Sequence, residues 1–496
     1  MKTIVLGPPG TGKTWTLLEE VDKYLKTTDP NRIGYFSFTQ KAAYHARDEA
    51  IKKFNLTEDD LPYFRTLHSL AFRRLGLKKE NVMQTKHYAD LGKKINIRVD
   101  YNEYDDEFTG IFTTKSDYLR IIQLAKLRNI TPEQQFNLQE HTQDVSVKNL
   151  KIFANELNAY KKQYGLIDYN DMILDFIKSD TCPKFDVVFI DEAQDLSRMQ
   201  WDMAKFIWDK TKDSFIAGDD DQAIFRWAGA DVDSFITQTG KFLKLTQSLR
   251  VPQVVHDVAM NIVKRISKRH HKEWAPKNKN GQLSYYHDFQ DIDMSQGKWY
   301  VLARTKYMLK DLEEELYKKG FFYKNKSKKG YESDLYNAIT NWENFRKSQE
   351  LKADQIKEIA TYMSPKHYMK ENLQYLNKDK PYRIEECYNK HGLLTNAVWY
   401  EAMDQAPAKS VNYIRKMRAN GEALNKEPRI LLSTIHGVKG GEEDNVVLLT
   451  DLSLNTQKSY DRNPDDENRL FYVGATRTKK HLHIIRPKDI YKSFKI

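Results

Sequence analysis

The stretch IVLGPPGTGKTW, Ile4 to Trp15, decides the fold of this 496-residue chain. It opens on three apolar residues and passes through a run of glycine and proline. It then enters a segment carrying Leu17, Leu18, Val21 and Leu25 at helical spacing. A buried strand, a glycine-rich turn and a helix in that order make a phosphate-binding loop. The glycines let backbone N–H groups converge on phosphate oxygens at the positive end of the helix. Gly10, Thr11 and Gly12 are expected to line the loop, Lys13 to neutralise the β and γ phosphates, and Thr14 to ligate magnesium.

Outward from this loop, RIGYFSF, FDVVFIDE and SFIAGDD are short apolar runs, the last two of which stop abruptly at carboxylates. Strands buried on both faces of a parallel sheet read this way, and function collects at their carboxyl ends. In FIDEAQD, Asp191 is placed to hold magnesium through water and Glu192 to accept a proton from an attacking water. In AGDDDQAIFRWAGA, Gln222 falls where a strand-end amide senses a γ-phosphate, and Phe225 and Trp227 follow as a base-stacking platform.

The chain is too long for one core, since cores stop growing at roughly 250 to 300 residues. From Gly76 to about Tyr164 the alternation gives way to charged helical sequence such as SDYLRIIQLAKLRNI, read as an inserted helical subdomain. Apolar strands resume at KWYVLARTK, PRILLSTIHG and NVVLLTDL around a Lys- and Tyr-rich stretch, Tyr331 to Glu427, and so repeat the plan. The fold class expected is α/β with two tandem parallel-sheet cores, each carrying a mostly helical insertion. The boundaries are 1–75 with 165–250, insertion 76–164, then 251–330 with 428–496, insertion 331–427.

Lys plus Arg number 80 against 69 Asp plus Glu, a net +11 that favours polyanions where the excess gathers on one surface. The run KRISKRHHKEWAPKNKNG, Lys264 to Gly281, is either a solvated face or a phosphate contact, and its paired histidines, His270 and His271, read as surface residues. Two cysteines exclude a Cys-rich metal site and suit a reducing cytoplasm, and no apolar run approaches the roughly 20 residues of a membrane span.

These elements, in this order, resemble a superfamily 1 DNA helicase of the UvrD/Rep/PcrA type. FSFTQKAA resembles its strand-binding motif after the second strand, RTLHSLAFRRLG the next, and LIDYNDMI the return from the first insertion. LTQSLRVP resembles its Q-N-Y-R-S element, LARTKYMLKDLEEEL the motif with Arg304, STIHGVKGGEEDNVVLL its T-x-H-x-x-K-G-x-E element, and ENRLFYVGATRTKKHLHI the last motif.

The resemblance implies two RecA-like cores with ATP and Mg2+ between them, and motion along single-stranded DNA with unwinding at junctions, 3′ to 5′ by analogy. Arg304 and Arg477 would be arginine fingers, with Arg250, Gly440 and Glu442 also against the nucleotide. Phe38, Phe225 and Trp227 would stack on bases, with Thr66, His68, Thr434 and His436 near the DNA backbone. A monomer in the cytoplasm of a bacterial or phage-infected cell is the setting expected, with protein partners unspecified. Two other readings stay open: a compact 5′-to-3′ motor, and a nucleotide-switched DNA-binding protein.

The sequence departs from the family at the base. Relatives carry an adenine-reading glutamine upstream of the first strand, where this chain has only Met1, and a tyrosine before the arginine of the fourth motif, read here as Ala303. Trp15 stands where relatives often place an arginine on the base, and it either stacks on the base or packs under the first helix. Stacking recognises a flat ring rather than its edge. GTP is therefore expected to be hydrolysed with kcat/KM within about tenfold of ATP, about 1.4 kcal/mol of discrimination, and a hundredfold preference for ATP would sink the idea.

Overall fold

The computed structural model describes every residue except 98, 100, 103–112, 115, 139–144, 327–332, 370–372, 374, 379 and 423–426. Six strands form the first sheet: β1 (Lys2–Leu6), β2 (Ile33–Ser37), β3 (Phe64–Thr66), β4 (Val187–Asp191), β5 (Asp213–Gly218) and β6 (Lys241–Lys244). Their order is β3-β2-β4-β5-β1-β6, every pairing parallel. Side chains alternate across it. Ile4 and Leu6 enter one apolar cluster and Val5 the cluster on the opposite face, where the helix Lys13–Leu25 lays down Leu17, Leu18 and Val21.

The second sheet comprises β7 (Gln282–Tyr286), β8 (Trp299–Ala303), β9 (Tyr323–Asn325), β10 (Ile430–Thr434), β11 (Glu443–Leu449) and β12 (Thr478–Ile485). Its order is β9-β10-β8-β11-β12-β7, again parallel throughout. Leu302, Val446, Leu448 and Leu482 of this sheet share one continuous apolar cluster with Ile4, Leu6, Val188 and Ile190 of the first, so the two cores are packed together. Val301, Ala303, Leu432 and Val447 face the other way, into a cluster shared with the second insertion.

The first insertion holds helices Thr85–Lys94, Asp117–Arg128 and Val147–Tyr164, and the second Ser333–Arg346, Ala353–Ala360 and Ala408–Ala419. Among the described residues no helix is long and apolar enough to cross a membrane. The first insertion is pinned to its core by a buried ion cluster. Lys126 Nζ lies 2.8 Å from both Asp168 and Asp171, and Lys161 Nζ lies 2.9 Å from Asp168, which is fully buried and also caps the helix Tyr169–Ser179. Removing one partner of such a cluster strands buried charge. Asp168→Asn, which keeps the cap, is expected to cost about 3 kcal/mol, read as a lower thermal-unfolding midpoint with circular dichroism at 20 °C unchanged (about room temperature).

Candidate functional site

The carboxyl ends of β1, β4 and β5 meet at one edge, and the loop Gly7–Lys13 curls over it. Gly10 and Gly12 adopt φ of +71° and +80°, the left-handed region that a side chain disfavours, and Gly12 caps the helix that follows. Lys13 Nζ donates to the Gly7 carbonyl at 2.9 Å, and Thr11 Oγ1 to the Pro8 carbonyl at 2.8 Å. The segment after β6 straps the loop from outside. Ser248 Oγ donates to the Pro9 carbonyl and the Leu249 N–H to the Gly10 carbonyl, both at 2.8 Å.

Thr14 and Asp191 come together: the Thr14 hydroxyl donates to Asp191 Oδ2 at 2.7 Å. Two hard oxygen donors beside a phosphate loop fit magnesium, which prefers few protein oxygens plus phosphate and water. Burial, then the neighbouring Glu192, hold the Asp191 carboxyl above its ordinary range. Burial also pushes Glu192 up, but Lys13, Lys439, a hydrogen bond from Gln194 and Arg477 outweigh it, so Glu192 lies below the ordinary glutamate range and is ionised at neutral pH. Its backbone is left-handed at φ 52°, a strained turn that ends the strand.

The second core reaches this edge through two cations, Arg477 and Lys439. Arg477 Nη2 donates to Gln222 Oε1 at 2.9 Å, while Gln222 Nε2 donates to Asp219 Oδ2 at 2.7 Å, so both ends of the amide are fixed. Lys439 Nζ donates to the Gln222 carbonyl at 2.7 Å and pairs with Asp195, whose carboxyl burial pushes up to about 7. Arg250, from the strap, forms an ion pair with Glu442 of the second core, near Gly440. Lys439 was absent from the residues singled out in the sequence, although it is the lysine of the IHGVKGGEE segment quoted there.

Arg304 does not join this group. Glu467 grips it at 2.8 Å through two oxygens within the second core, and it lies close enough to His436 to help depress that ring's pKa. Arg250 is the arginine beside Arg477: it is near enough to help lower the Arg477 pKa, which burial brings to about 9, and a Cβ on Gly10 would stand 2.4 Å from its own Cβ. In this structure Arg304 is held on Glu467 and not at the phosphate loop, which corrects its placement beside the nucleotide. The residue that precedes the cleft arginine is Leu249, exposed at 77 % and lining a cleft of about 670 Å³ with Gln253, Lys277 and Lys279. Trp15 is 64 % exposed, with Lys53 Nζ 5.3 Å from its ring, so it is not packed under the first helix.

On the opposite flank, Trp227 presents open surface, with His436 of the second core edge-on at 5.8 Å. Phe38 and Phe225 are buried and pack on each other at 5.8 Å. Expected to stack on bases, both are buried in this structure and support the platform, while Trp227 presents the open ring face. Thr66 caps the helix Leu67–Arg74 and Thr434 Oγ1 accepts from the Gly437 N–H, so both hydroxyls hold turns. Burial pushes His68 down to about 4 and His436 to about 3, leaving both rings neutral hydrogen-bonding groups.

The basic run is not wholly a surface feature. Lys272 is buried against Asp219 and Asp221, both at 3.0 Å, and Asp220, and Arg269 makes two 2.7 Å bonds to Asp221. The strand-end carboxylates draw these cations inward because buried charge must be paired.

Residues 1–243 match the UvrD/REP helicase N-terminal domain, and residues 429–485 the UvrD-like helicase C-terminal domain. The ATP-dependent DNA helicase Rep of Buchnera aphidicola is 21% identical over 97% of this chain and 91% of its own length. A probable DNA helicase II homolog of Mycoplasma capricolum is 24% identical over 65% of this chain, and the ATP-dependent DNA helicase PcrA of Staphylococcus aureus 23% over 58%. The chain spans 45% and 41% of those last two, under half of each.

Gly10→Ala places a methyl group against Arg250 in a backbone conformation that alanine resists. It is expected to weaken binding of a fluorescent nucleotide at least about tenfold, since a strained residue costs about 1 to 3 kcal/mol, with the circular dichroism spectrum unchanged.

Proposed function

Because the chain belongs to the UvrD/Rep family of superfamily 1 helicases, we propose that it is an ATP-driven motor that moves along single-stranded DNA, 3′ to 5′, and unwinds duplex at junctions. The observation that carries the reading is Gln222. Its amide lies between Asp219 of the first core and Arg477 of the second, with Lys439 on its carbonyl, so a change at the phosphate loop is felt by both cores. Lys13 neutralises the β and γ phosphates, Glu192 takes a proton from the attacking water, and Arg250 and Arg477 stabilise charge on the transferring phosphoryl group. Thr14, and Asp191 through water, would hold magnesium, which when bound would supply charge neutralisation at the phosphates. The base lies against Trp15 or in the cleft at Leu249.

Closure of the cores on ATP and reopening after hydrolysis alternate the grip on the strand. His436 carries that motion to the stacking face, since it belongs to the second core and touches Trp227 of the first. Stacking of about 1 to 3 kcal/mol per base tolerates any sequence.

Hydrolysis of ATP by the purified chain with magnesium is expected to rise on addition of single-stranded DNA, and Glu192→Gln to lower kcat by about 100- to 10,000-fold with nucleotide binding retained. Negligible hydrolysis both with and without DNA would favour the nucleotide-switch reading. Strand displacement from a 3′ overhang and not a 5′ overhang is the expected polarity, and the reverse result would identify the compact 5′-to-3′ class.

A further inference from the structure

Tyr35 stands in the middle of β2, fully buried, with Phe189 of β4 as its partner across the ladder. Asp191 lies two residues beyond Phe189, so the side chains of Tyr35 and Asp191 leave the same face of the sheet, on a diagonal that an aromatic residue can span. The ring is clamped in place. It stacks on Phe64 at 5.0 Å and 13°, and on Phe189 at 6.2 Å and 22°. Its hydroxyl projects from this apolar stack and donates to Asp191 Oδ2 at 2.9 Å.

The Asp191 carboxylate is thereby held at three points. Oδ2 accepts from Tyr35 and from Thr14, at 2.9 and 2.7 Å, and Oδ1 accepts from the Glu192 N–H at 2.9 Å. The Thr14 hydroxyl has one proton, already given to Oδ2, and its lone pairs remain for an ion. Without the tyrosine, Thr14 would be the only side chain among the described residues donating to that oxygen. A buried hydroxyl and a buried carboxylate oxygen each need a partner, and here each supplies the other's.

We propose that Tyr35 is a positioning residue for magnesium: its hydroxyl, fixed by the aromatic stack, locks the Asp191 carboxylate in the orientation that receives the ion beside Thr14. The inference rests on the ATPase reading above. It assigns to a residue on β2, outside the nucleotide motifs, control over how tightly the ion is held and not over how tightly the nucleotide is held. Groups that orient metal-binding carboxylates typically change metal affinity by about 10- to 100-fold when removed.

Tyr35→Phe keeps the ring and its stacking and deletes only the hydroxyl. The test is calorimetric titration of Mg2+ into the full chain saturated with ADP, paired with binding of a fluorescent ADP in excess chelator. The expected result is Mg2+ affinity about tenfold weaker in Tyr35→Phe, with metal-free ADP affinity and the folded circular dichroism spectrum unchanged. Equal Mg2+ affinities in the two proteins would overturn the proposal, as would a parallel fall in metal-free ADP affinity, which would mark a general loosening of the pocket. A parent chain that binds ADP without any measurable Mg2+ would overturn the ATPase reading and this inference together. A parent that binds Mg2+ while Tyr35→Phe matches it removes the inference alone.

Discussion

The structure turns on how one sheet edge disposes of its negative charge. Asp191, Asp195, Asp219, Asp220 and Asp221 are buried at or beside the carboxyl ends of β4 and β5, with Glu192 half-buried among them. Ionised carboxylates without partners are not tolerated in such a place, because the desolvation penalty per ion is several kcal/mol. Each must be paired, hydrogen-bonded or protonated. The cations that answer this requirement come from separate stretches of chain: Lys13 from the phosphate loop, Arg269 and Lys272 from the basic run, and Lys439 and Arg477 from the later part of the second core.

That distribution ties the two cores together electrostatically as well as through the apolar cluster they share. An ion pair between cores is weak evidence for stability, since replacing it with apolar residues is often neutral. Its consequence here is positional. Gln222 cannot shift without disturbing Asp219 on one side and Arg477 on the other, and Lys439 holds the same residue by its backbone. A γ-phosphate arriving at this edge would bring negative charge to a set of groups already in balance. The redistribution that follows is the physical content of coupling between a nucleotide site and a two-core clamp.

The aromatic flank follows from the same packing. Phe38 and Phe225 lie in the apolar cluster that spans both cores, and they hold Trp227 outward, where His436 meets it. The neutral state of His436, enforced by burial and by Arg304 nearby, makes it a hydrogen-bonding group and not a charge partner for phosphate. Arg304 is withdrawn onto Glu467, so the charge at the cleft comes from Arg250 instead.

The sequence by itself determined the phosphate loop, its glycines and the Thr14–Asp191 pair, because a strand, tight turn and helix are local and apolar runs that end in carboxylates declare a parallel sheet edge. It also determined that two such sheets follow one another. It left open which cations serve that edge. Lys439 meets Asp195 across 244 positions and Arg477 meets Gln222 across 255, so the choice of Arg250 over Arg304 depends on how two cores pack and not on any local pattern. The same holds for the burial of Phe38 and Phe225, for Lys272 turning inward from a run that looks solvated, and for the Tyr35 hydroxyl meeting Asp191. Local sequence fixes which groups a chain can offer, while the desolvation of charge in the folded interior decides which of them are brought together.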